Sequence, residues 1–276
     1  MNLPTAIVLG IIQGLTELFP VSSSAHLVIL QSFFPGFEQP GAAFDVMLHL
    51  GTLSAVIFYF RTDLWTMFTS IVPGLFPPDS SLKSDTSSPT MRKMVFFLIM
   101  ATIPAAFFGL LFKDYIHQMF ENAQVAALFL IITGMMLFLS DKAKNAQRNL
   151  RDMTMIDSVI IGFSQAFALM PGISRSGATI TAGIFRKFNR QDAARFSFLL
   201  SIPAVCGAAI LEMPYLKDVS SADRFSYAAG FISAALTGFL SLKLFFLIIR
   251  EARLKYFAYY CWIFGFFTLL VKFVFF

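Results

Sequence analysis

The sequence predicts an all-α polytopic membrane protein, with six transmembrane helices and two re-entrant helical hairpins in an inverted-topology repeat. The first observation behind this prediction is composition. Of the 276 residues, 57% are hydrophobic and 13% are charged, whereas soluble domains carry about 25% charged residues. The mean hydropathy is +0.72. These values exclude a disordered chain, a nucleic-acid-binding basic domain and a disulfide-rich secreted module. We expect a single membrane domain over residues 1–276.

The second observation is a set of six apolar runs that are long enough to cross a bilayer as helices. A span needs about 20 apolar residues, and it must be helical because lipid offers no partner for backbone N–H and C=O groups. The fourth run is short, but Arg195 and Glu212 at its ends can snorkel. The runs cover residues 41–60, 94–112, 123–140, 196–211, 225–249 and 256–276.

The third observation is a pair of apolar regions, 3–34 and 155–185, that are each broken in the middle. The first is interrupted at 19–24 by Phe-Pro-Val-Ser-Ser-Ser and the second at 171–177 by Pro-Gly-Ile-Ser-Arg-Ser-Gly. Each arm has roughly 10–16 residues, which is short for a span and suits a re-entrant half-helix.

Basic residues between the six runs alternate in number. The five loops contain 4, 1, 8, 2 and 3 Lys and Arg residues, not counting Arg175 within the second broken region. The positive-inside rule places the first, third and fifth loops inside and both termini outside. Basic residues flank the second broken region on both sides, so its chain is predicted to enter and leave at one face.

The two broken regions align without a gap at a shift of 152 residues. Gln13 then matches Gln165, Ser22 matches Ser174, and residue 24 matches residue 176, although only 3 of the 16 pairs from 13 to 28 are identical. The charge pattern orients the two units oppositely, as in an inverted-topology repeat. We predict repeat one at about 1–140 and repeat two at about 155–276.

Ionisable side chains inside a membrane are costly and usually functional. In the first hairpin, Gln13 and Glu17 are four residues apart and share one helix face. Ser22, Ser23 and Ser24 follow the break, and His26 lies one turn further on. A serine can cap the next half-helix and leave its N–H groups available. We predict that Ser22 and Ser24 help to bind the substrate.

The second hairpin combines a guanidinium with several hydroxyl groups. Arg175 is flanked by Ser174 and Ser176, and Thr179 follows four residues later, at the start of a predicted half-helix. A helix N-terminus with these groups forms an anion site that suits phosphate.

The carboxylate of the first hairpin would repel such a phosphate, and a divalent cation between Glu17 and the phosphate would remove the conflict. His26 could transfer protons or attack phosphorus, or a serine of 22–24 could be the nucleophile with His26 as its base. These groups indicate phosphoryl transfer to water from a lipid-bound phosphate.

The two motifs resemble those of a known family. Residues 13–26 read Gln-Gly-Leu-Thr-Glu-Leu-Phe-Pro-Val-Ser-Ser-Ser-Ala-His, similar to the Glu/Gln-x-x-x-Glu motif and serine-rich stretch of bacterial undecaprenyl-diphosphate phosphatases, the bacitracin-resistance family. Residues 171–180 read Pro-Gly-Ile-Ser-Arg-Ser-Gly-Ala-Thr-Ile, similar to that family's Pro-Gly-x-Ser-Arg-Ser-x-x-Thr motif.

The resemblance implies removal of the terminal phosphate from undecaprenyl diphosphate, the lipid carrier for cell-wall synthesis, and resistance to bacitracin. It implies a bacterial cytoplasmic (inner) membrane protein whose site opens to the outer face, a divalent cation (Mg²⁺ or Ca²⁺), contact with membrane lipids, and a homodimer. No nucleic acid is expected as a partner.

The resemblance also implies residue roles. Glu17 and Gln13 would serve the metal or water, and His26 and Ser23 would be catalytic, with nucleophile and base unassigned. Many relatives have Glu where this chain has Gln13, and the family pattern allows either. Asp45, a shorter carboxylate than the family's residue, could also serve a metal. The residues implied to hold the diphosphate are Arg175, Ser174, Ser176 and Thr179.

Other interpretations of the same residues remain open at this point. The three serines could only cap a helix, Arg175 could be a structural lock, and His26 could be a satisfied interior histidine. His49, in the next span, is interpreted as structural. Broken helices in an inverted repeat also suit a transporter that flips polyprenyl phosphate, and a non-catalytic lipid-binding scaffold is a third possibility.

Overall fold

The computed structural model describes residues 2–33, 42–71, 88–143, 146–212, 223–249 and 253–275. Within these ranges the chain is helical, with twelve α-helices, one 3₁₀ turn and no strand beyond an isolated bridge. The predicted all-α class is confirmed. Four of the basic residues counted above lie outside the described residues: Lys83, Lys144, Lys217 and Arg250.

The helices follow the chain in order. Their bounds are α1 Leu3–Leu18, α2 Ser23–Phe33, α3 Ala42–Tyr59, α4 Arg61–Ile71, α5 Ser88–Leu111, α6 Lys113–Phe120, α7 Ala123–Asp141, α8 Met155–Phe167, α9 Arg175–Phe185, α10 Arg190–Glu212, α11 Arg224–Ile248 and α12 Lys255–Phe275.

Five of the described helices are long and apolar enough to cross a membrane, and they lie within α5, α7, α10, α11 and α12. Helices α3 and α4 meet at a bend of 73° and pass the same test only as a pair. The protein is therefore a multi-pass helical membrane protein with five candidate spans, or six if the bent pair counts as one.

The predicted start of the fourth span at residue 196 was too late, because α10 begins at Arg190 and has 23 residues. Its charged first turns are paired: Arg190 Nη2 donates to Asp141 Oδ1 at 2.8 Å and Arg195 Nη2 to Asp63 Oδ1 at 2.5 Å. These ion pairs therefore allow the helix to begin earlier than hydropathy alone predicts.

Close packing between α1 and α11 fixes the position of the first broken region. A Cβ atom added at Gly14 would lie 2.7 Å from the backbone nitrogen of Gly238, and one added at Gly10 would lie 2.5 Å from the carbonyl oxygen of Gly230. Small residues allow helices in membranes to approach this closely. Helix α1 is thus held against α11 along the face that carries both glycines.

Helices α1 and α2 form the first broken pair, and α8 and α9 form the second. The first break includes Ser22, a non-glycine residue with a left-handed φ of 65°. The second includes Gly172, with φ of 98°, where any side chain would collide with the carbonyl of Ala126. The breaks touch: Gly172 N–H donates to Ser24 Oγ at 3.3 Å, and Ser176 Oγ donates to the Phe19 carbonyl at 3.4 Å.

Candidate active site

Glu17 lies in the last turn of α1, where the two broken pairs meet. Its Oε1 accepts a hydrogen bond from Arg175 Nη2 at 2.7 Å, and the two side chains are only 8% and 17% exposed. Its Oε2 accepts from Ser23 Oγ at 2.5 Å and from Gln13 Nε2 at 3.2 Å. The carboxylate of the first pair therefore contacts the guanidinium of the second directly.

Ser23 is the first residue of α2, and its hydroxyl is bonded to the Glu17 carboxylate. A carboxylate that accepts a serine O–H is placed to take the proton if the serine oxygen attacks phosphorus. The neighbouring serines have other partners. Ser22 Oγ accepts from the N–H of Ala25 at 3.3 Å and lies 3.1 Å from Ser24 Oγ, which also accepts from the second break.

His26 is buried against α12 rather than against the Ser23–Glu17 pair. Its ring lies parallel to the rings of Tyr260 and Phe264, with Nδ1 2.7 Å from the Ser22 carbonyl oxygen and Nε2 2.7 Å from the Tyr260 hydroxyl. A carbonyl oxygen can only accept, so Nδ1 carries the proton, and in the neutral ring Nε2 accepts from Tyr260. Both ring nitrogens are engaged away from Ser23, and the geometry pairs Ser23 with Glu17. The catalytic role of His26 stays a prediction.

The hydroxyl groups around Arg175 mainly shape the second break. Ser174 is the N-cap of α9, since its Oγ accepts from the N–H of Gly177 at 3.0 Å. Ser176 Oγ lies 3.2 Å from Ser174 Oγ, and Thr179 Oγ1 lies 2.6 Å from Ser197 Oγ of α10. The structure brings all three within two turns of Arg175, and their predicted contact with substrate stays a prediction.

Two buried polar atoms at the centre of this site have no protein partner among the described residues. These are Nη1 of Arg175, a donor, and Oε1 of Gln13, an acceptor. Buried polar groups are normally satisfied, so such atoms indicate that water or a ligand completes the site. A guanidinium nitrogen favours an anion, and an amide oxygen favours a donor or a cation.

The oxygen atoms of Glu17 and Gln13 fit a magnesium or calcium ion. Both ions prefer hard oxygen ligands, and magnesium is often bound by one or two carboxylates together with substrate phosphates and water. Within the described ranges, no group of three or more His, Cys, Asp and Glu side chains is placed to hold a metal ion by itself. A cation at this site would therefore have to share its ligands with a phosphate.

His49 is a member of this cluster that the sequence did not predict. Its Nδ1 lies 2.9 Å from Gln13 Nε2 and 3.5 Å from Glu17 Oε2. The signal that could have pointed to it is its position on α3 four residues after Asp45, another ionisable residue, in the first turn of that helix. The packing of α3 beside α1 was not visible in the sequence.

These features define the class of protein: a helical, multi-pass membrane protein with a buried ionic site at the junction of two broken helix pairs. The chain belongs to the family described as "Bacitracin resistance protein BacA", whose sequence profile matches residues 6–267. The family predicted from the two motifs is confirmed.

Named relatives match almost the whole chain. The chain is similar to a protein named "Undecaprenyl-diphosphatase" from Syntrophotalea carbinolica, with 42% identity over 96% of this chain and 97% of the relative. A protein of the same name from Methanobrevibacter smithii is 38% identical over 96% of each chain. Another from Methanosphaera stadtmanae is 36% identical over 99% of each.

Proposed function

We propose that this protein hydrolyses the terminal phosphate of undecaprenyl diphosphate to give undecaprenyl phosphate. It thereby recycles the lipid carrier for cell-wall synthesis and confers resistance to bacitracin. The observation that carries the proposal is the contact of Glu17 with both Arg175 and Ser23 inside the membrane protein. The names of the relatives support the choice of substrate.

In the proposed reaction, Arg175 holds the diphosphate through Nη1, the guanidinium nitrogen without a protein partner. Glu17 accepts the proton of Ser23 as the serine oxygen bonds to the terminal phosphorus. The bond from that phosphorus to the bridging oxygen breaks, and Glu17 returns the proton to that oxygen as undecaprenyl phosphate leaves. Water then attacks the phosphoserine. Glu17, again a carboxylate, takes a proton from this water and passes it to the Ser23 oxygen as inorganic phosphate is released.

A divalent cation, Mg²⁺ or Ca²⁺, belongs to the proposal. Glu17 and the Oε1 atom of Gln13 would hold it together with phosphate oxygens, since these are the hard donors at the site. When bound, such a cation neutralises negative charge between the carboxylate and the diphosphate.

The proposed topology has six spans, with α3 and α4 as the bent span, and two re-entrant pairs in an inverted repeat. The second pair is tied together at one end, because Asp157 near the start of α8 accepts from Arg186 after α9 and from Arg148 in the preceding loop. These bonds also raise the pKa of the Arg148 guanidinium. Because these bonds hold the start of α8 next to the end of α9, they support a chain that enters and leaves the membrane at the same face.

The proposed location is the bacterial cytoplasmic (inner) membrane, with the site towards the outer face and the loops richest in basic residues inside. The polyprenyl diphosphate and membrane lipids are the proposed partners, and a homodimer is the proposed assembly. Cysteines introduced at Arg151, in the third loop, and at Arg224, in the fourth, should differ in sealed right-side-out vesicles: a membrane-impermeant reagent should label Arg224→Cys in intact vesicles and Arg151→Cys only after lysis. Labelling from the same face would contradict this topology.

The test of function is phosphate release by purified protein in detergent from a polyprenyl diphosphate, with magnesium and then with chelator. We expect release by the wild type, loss with chelator, and loss in Ser23→Ala and Arg175→Ala. A flippase would bind the lipid through Arg175 without releasing phosphate, and a scaffold would show no metal dependence. Either result would contradict the proposed enzyme.

A further inference from the structure

A second polar cavity lies at the helix ends, apart from the Glu17 site. It has a volume of about 490 Å³ and forms where the C-terminal end of α7 meets the N-terminal ends of α10 and α12. Helix α9 runs from Arg175 towards this end and has 11 residues, which corresponds to about 16 Å of helix. The cavity is therefore a separate site rather than an extension of the first.

The lining of this basic pocket is strongly positive. Four basic side chains face a single carboxylate, Asp141, a formal surplus of three positive charges; the four are Lys142, Arg190, Arg253 and Lys255. The Asp141 carboxylate joins two sides of the pocket, since its Oδ1 accepts from Arg190 Nη2 at 2.8 Å and from the N–H of Leu254 at 2.9 Å.

The remaining cations lack acidic partners within the described part of the chain. The ammonium group of Lys142 lies 4.5 Å from the ring centre of Phe138, and none of the ion pairs described involves Lys142, Arg253 or Lys255. A membrane orientation signal needs basic residues only somewhere in the loop. The four basic residues of the lining come from three separate segments: the end of α7, the start of α10 and residues 253–255. Their convergence on one cavity exceeds what membrane orientation requires and indicates an anionic ligand.

An apolar stripe continues from this pocket along α12. Tyr259 lines the pocket and is 41% exposed, and it is followed on the same helix face by Ile263, 71% exposed, and Phe267, 58% exposed. Residues four apart lie above one another on a helix, and tyrosine prefers the level of lipid headgroups. A charged pocket followed by an exposed apolar stripe matches an amphiphile, not a free anion.

We propose that the basic pocket binds the phosphodiester headgroup of an anionic phospholipid whose acyl chain lies along the Tyr259–Phe267 face of α12. Basic pockets between transmembrane helices recognise such headgroups through charge and hydrogen bonding. This proposal rests on the protein being a membrane protein and does not require the phosphatase activity.

The experiment measures lipid adducts of the purified protein in detergent by native mass spectrometry, with phosphatidylglycerol and with phosphatidylethanolamine. The test variant is Lys142→Gln/Arg253→Gln. The matched control, Arg61→Gln/Lys243→Gln, removes one Arg and one Lys that lie over the rings of Phe58 and Phe239, outside the pocket lining. Thermal unfolding confirms that each variant is folded, and Lys142→Gln/Lys255→Gln replaces the test variant if it is not.

We expect the wild type and the control to bind phosphatidylglycerol in preference to phosphatidylethanolamine. Each basic residue near an anionic lipid raises the binding affinity about fivefold, and the test variant lacks two of them. It should therefore bind phosphatidylglycerol roughly 30-fold more weakly. Equal binding by test and control variants would overturn the proposal. Displacement of the lipid by glycerol 1-phosphate at a similar concentration would also overturn it, because the ligand would then be a free phosphate ester.

Because the readout is binding without turnover, the two proposals fail separately. If the protein releases no phosphate but the lipid preference is lost only in the test variant, the proposed function is wrong and the lipid site stands. If phosphate release is normal and the preference is absent, the lipid site is wrong and the proposed function stands.

Discussion

The Glu17 carboxylate and the Arg175 guanidinium meet at 2.7 Å although 158 residues separate them in the chain. They come from the C-terminal turn of α1 and the first residue of α9, so this single contact joins the two broken helix pairs. Removing one partner of a buried ion pair leaves an uncompensated charge, which costs about 3–5 kcal/mol. The pair is therefore expected to matter for stability as well as for chemistry.

For that reason, Arg175→Met should lower both the thermal unfolding midpoint and phosphate release. The double variant Glu17→Gln/Arg175→Met removes the stranded charge, so it should regain most of the lost stability while staying inactive. Unfolding in detergent and the phosphate assay would be measured side by side. If the double variant is no more stable than Arg175→Met, the unpaired charge of Glu17 is not the cause of the lost stability.

Ser23→Ala should reduce phosphate release by at least about 10³-fold, because the proposed nucleophile is lost. Ser140→Ala is the matched control, since Ser140 is also buried in a helix and donates only to the carbonyl of Leu137, in its own helix. Its activity should change less than twofold. Substantial turnover by Ser23→Ala would instead assign the attack to water or to His26.

Tyr260→Phe tests whether His26 takes part in catalysis. The change removes the hydroxyl that donates to His26 Nε2 and leaves the ring stack in place. If His26 acts on protons, kcat should fall by roughly 2–10-fold, about the effect of one neutral hydrogen bond, and the pH–rate profile should move. Tyr256→Phe, one turn earlier on α12 and 61% exposed, should change neither. An unchanged Tyr260→Phe profile would make His26 a structural residue.

Gln13→Glu should lower the magnesium concentration needed for half-maximal phosphate release. The substitution supplies a second carboxylate beside Glu17, and affinity for hard divalent cations rises with the number of charged ligands. Gln13→Leu removes the oxygen donor and should raise that concentration. Magnesium titrations of the wild type and both variants check the order, and an identical midpoint in all three would exclude residue 13 from the metal site.

Gly14→Ala should disturb the site from a distance. The added Cβ would lie 2.7 Å from the backbone nitrogen of Gly238 and would push α1, with Glu17 one turn further on, away from α11. We expect a lower unfolding midpoint and at least about tenfold lower activity, since small displacements of catalytic groups are costly. Gly207→Ala is the control, because nothing lies within 4 Å of its added Cβ; it should be neutral or slightly stabilising.

The sequence by itself determined the helical membrane class and the location of the two breaks. Apolar runs and Pro-Gly or Pro-Val-Ser interruptions are local signals, because the bilayer requires closed backbone hydrogen bonding over a fixed length. The same reasoning failed at the start of α10, where ion pairs with Asp63 and Asp141 extend the helix by six residues beyond the predicted position 196. Hydropathy cannot include partners from other helices.

Only the tertiary structure decided which side chains meet. The sequence places three serines and a histidine near Glu17. In the folded protein Ser23 donates to Glu17, whereas His26 contacts Tyr260, 234 residues away. Folding also adds His49 to the site. Side-chain direction depends on how α2 is rotated against α12 and how α3 is packed beside α1. Those relations come from long-range packing, and local periodicity does not contain them.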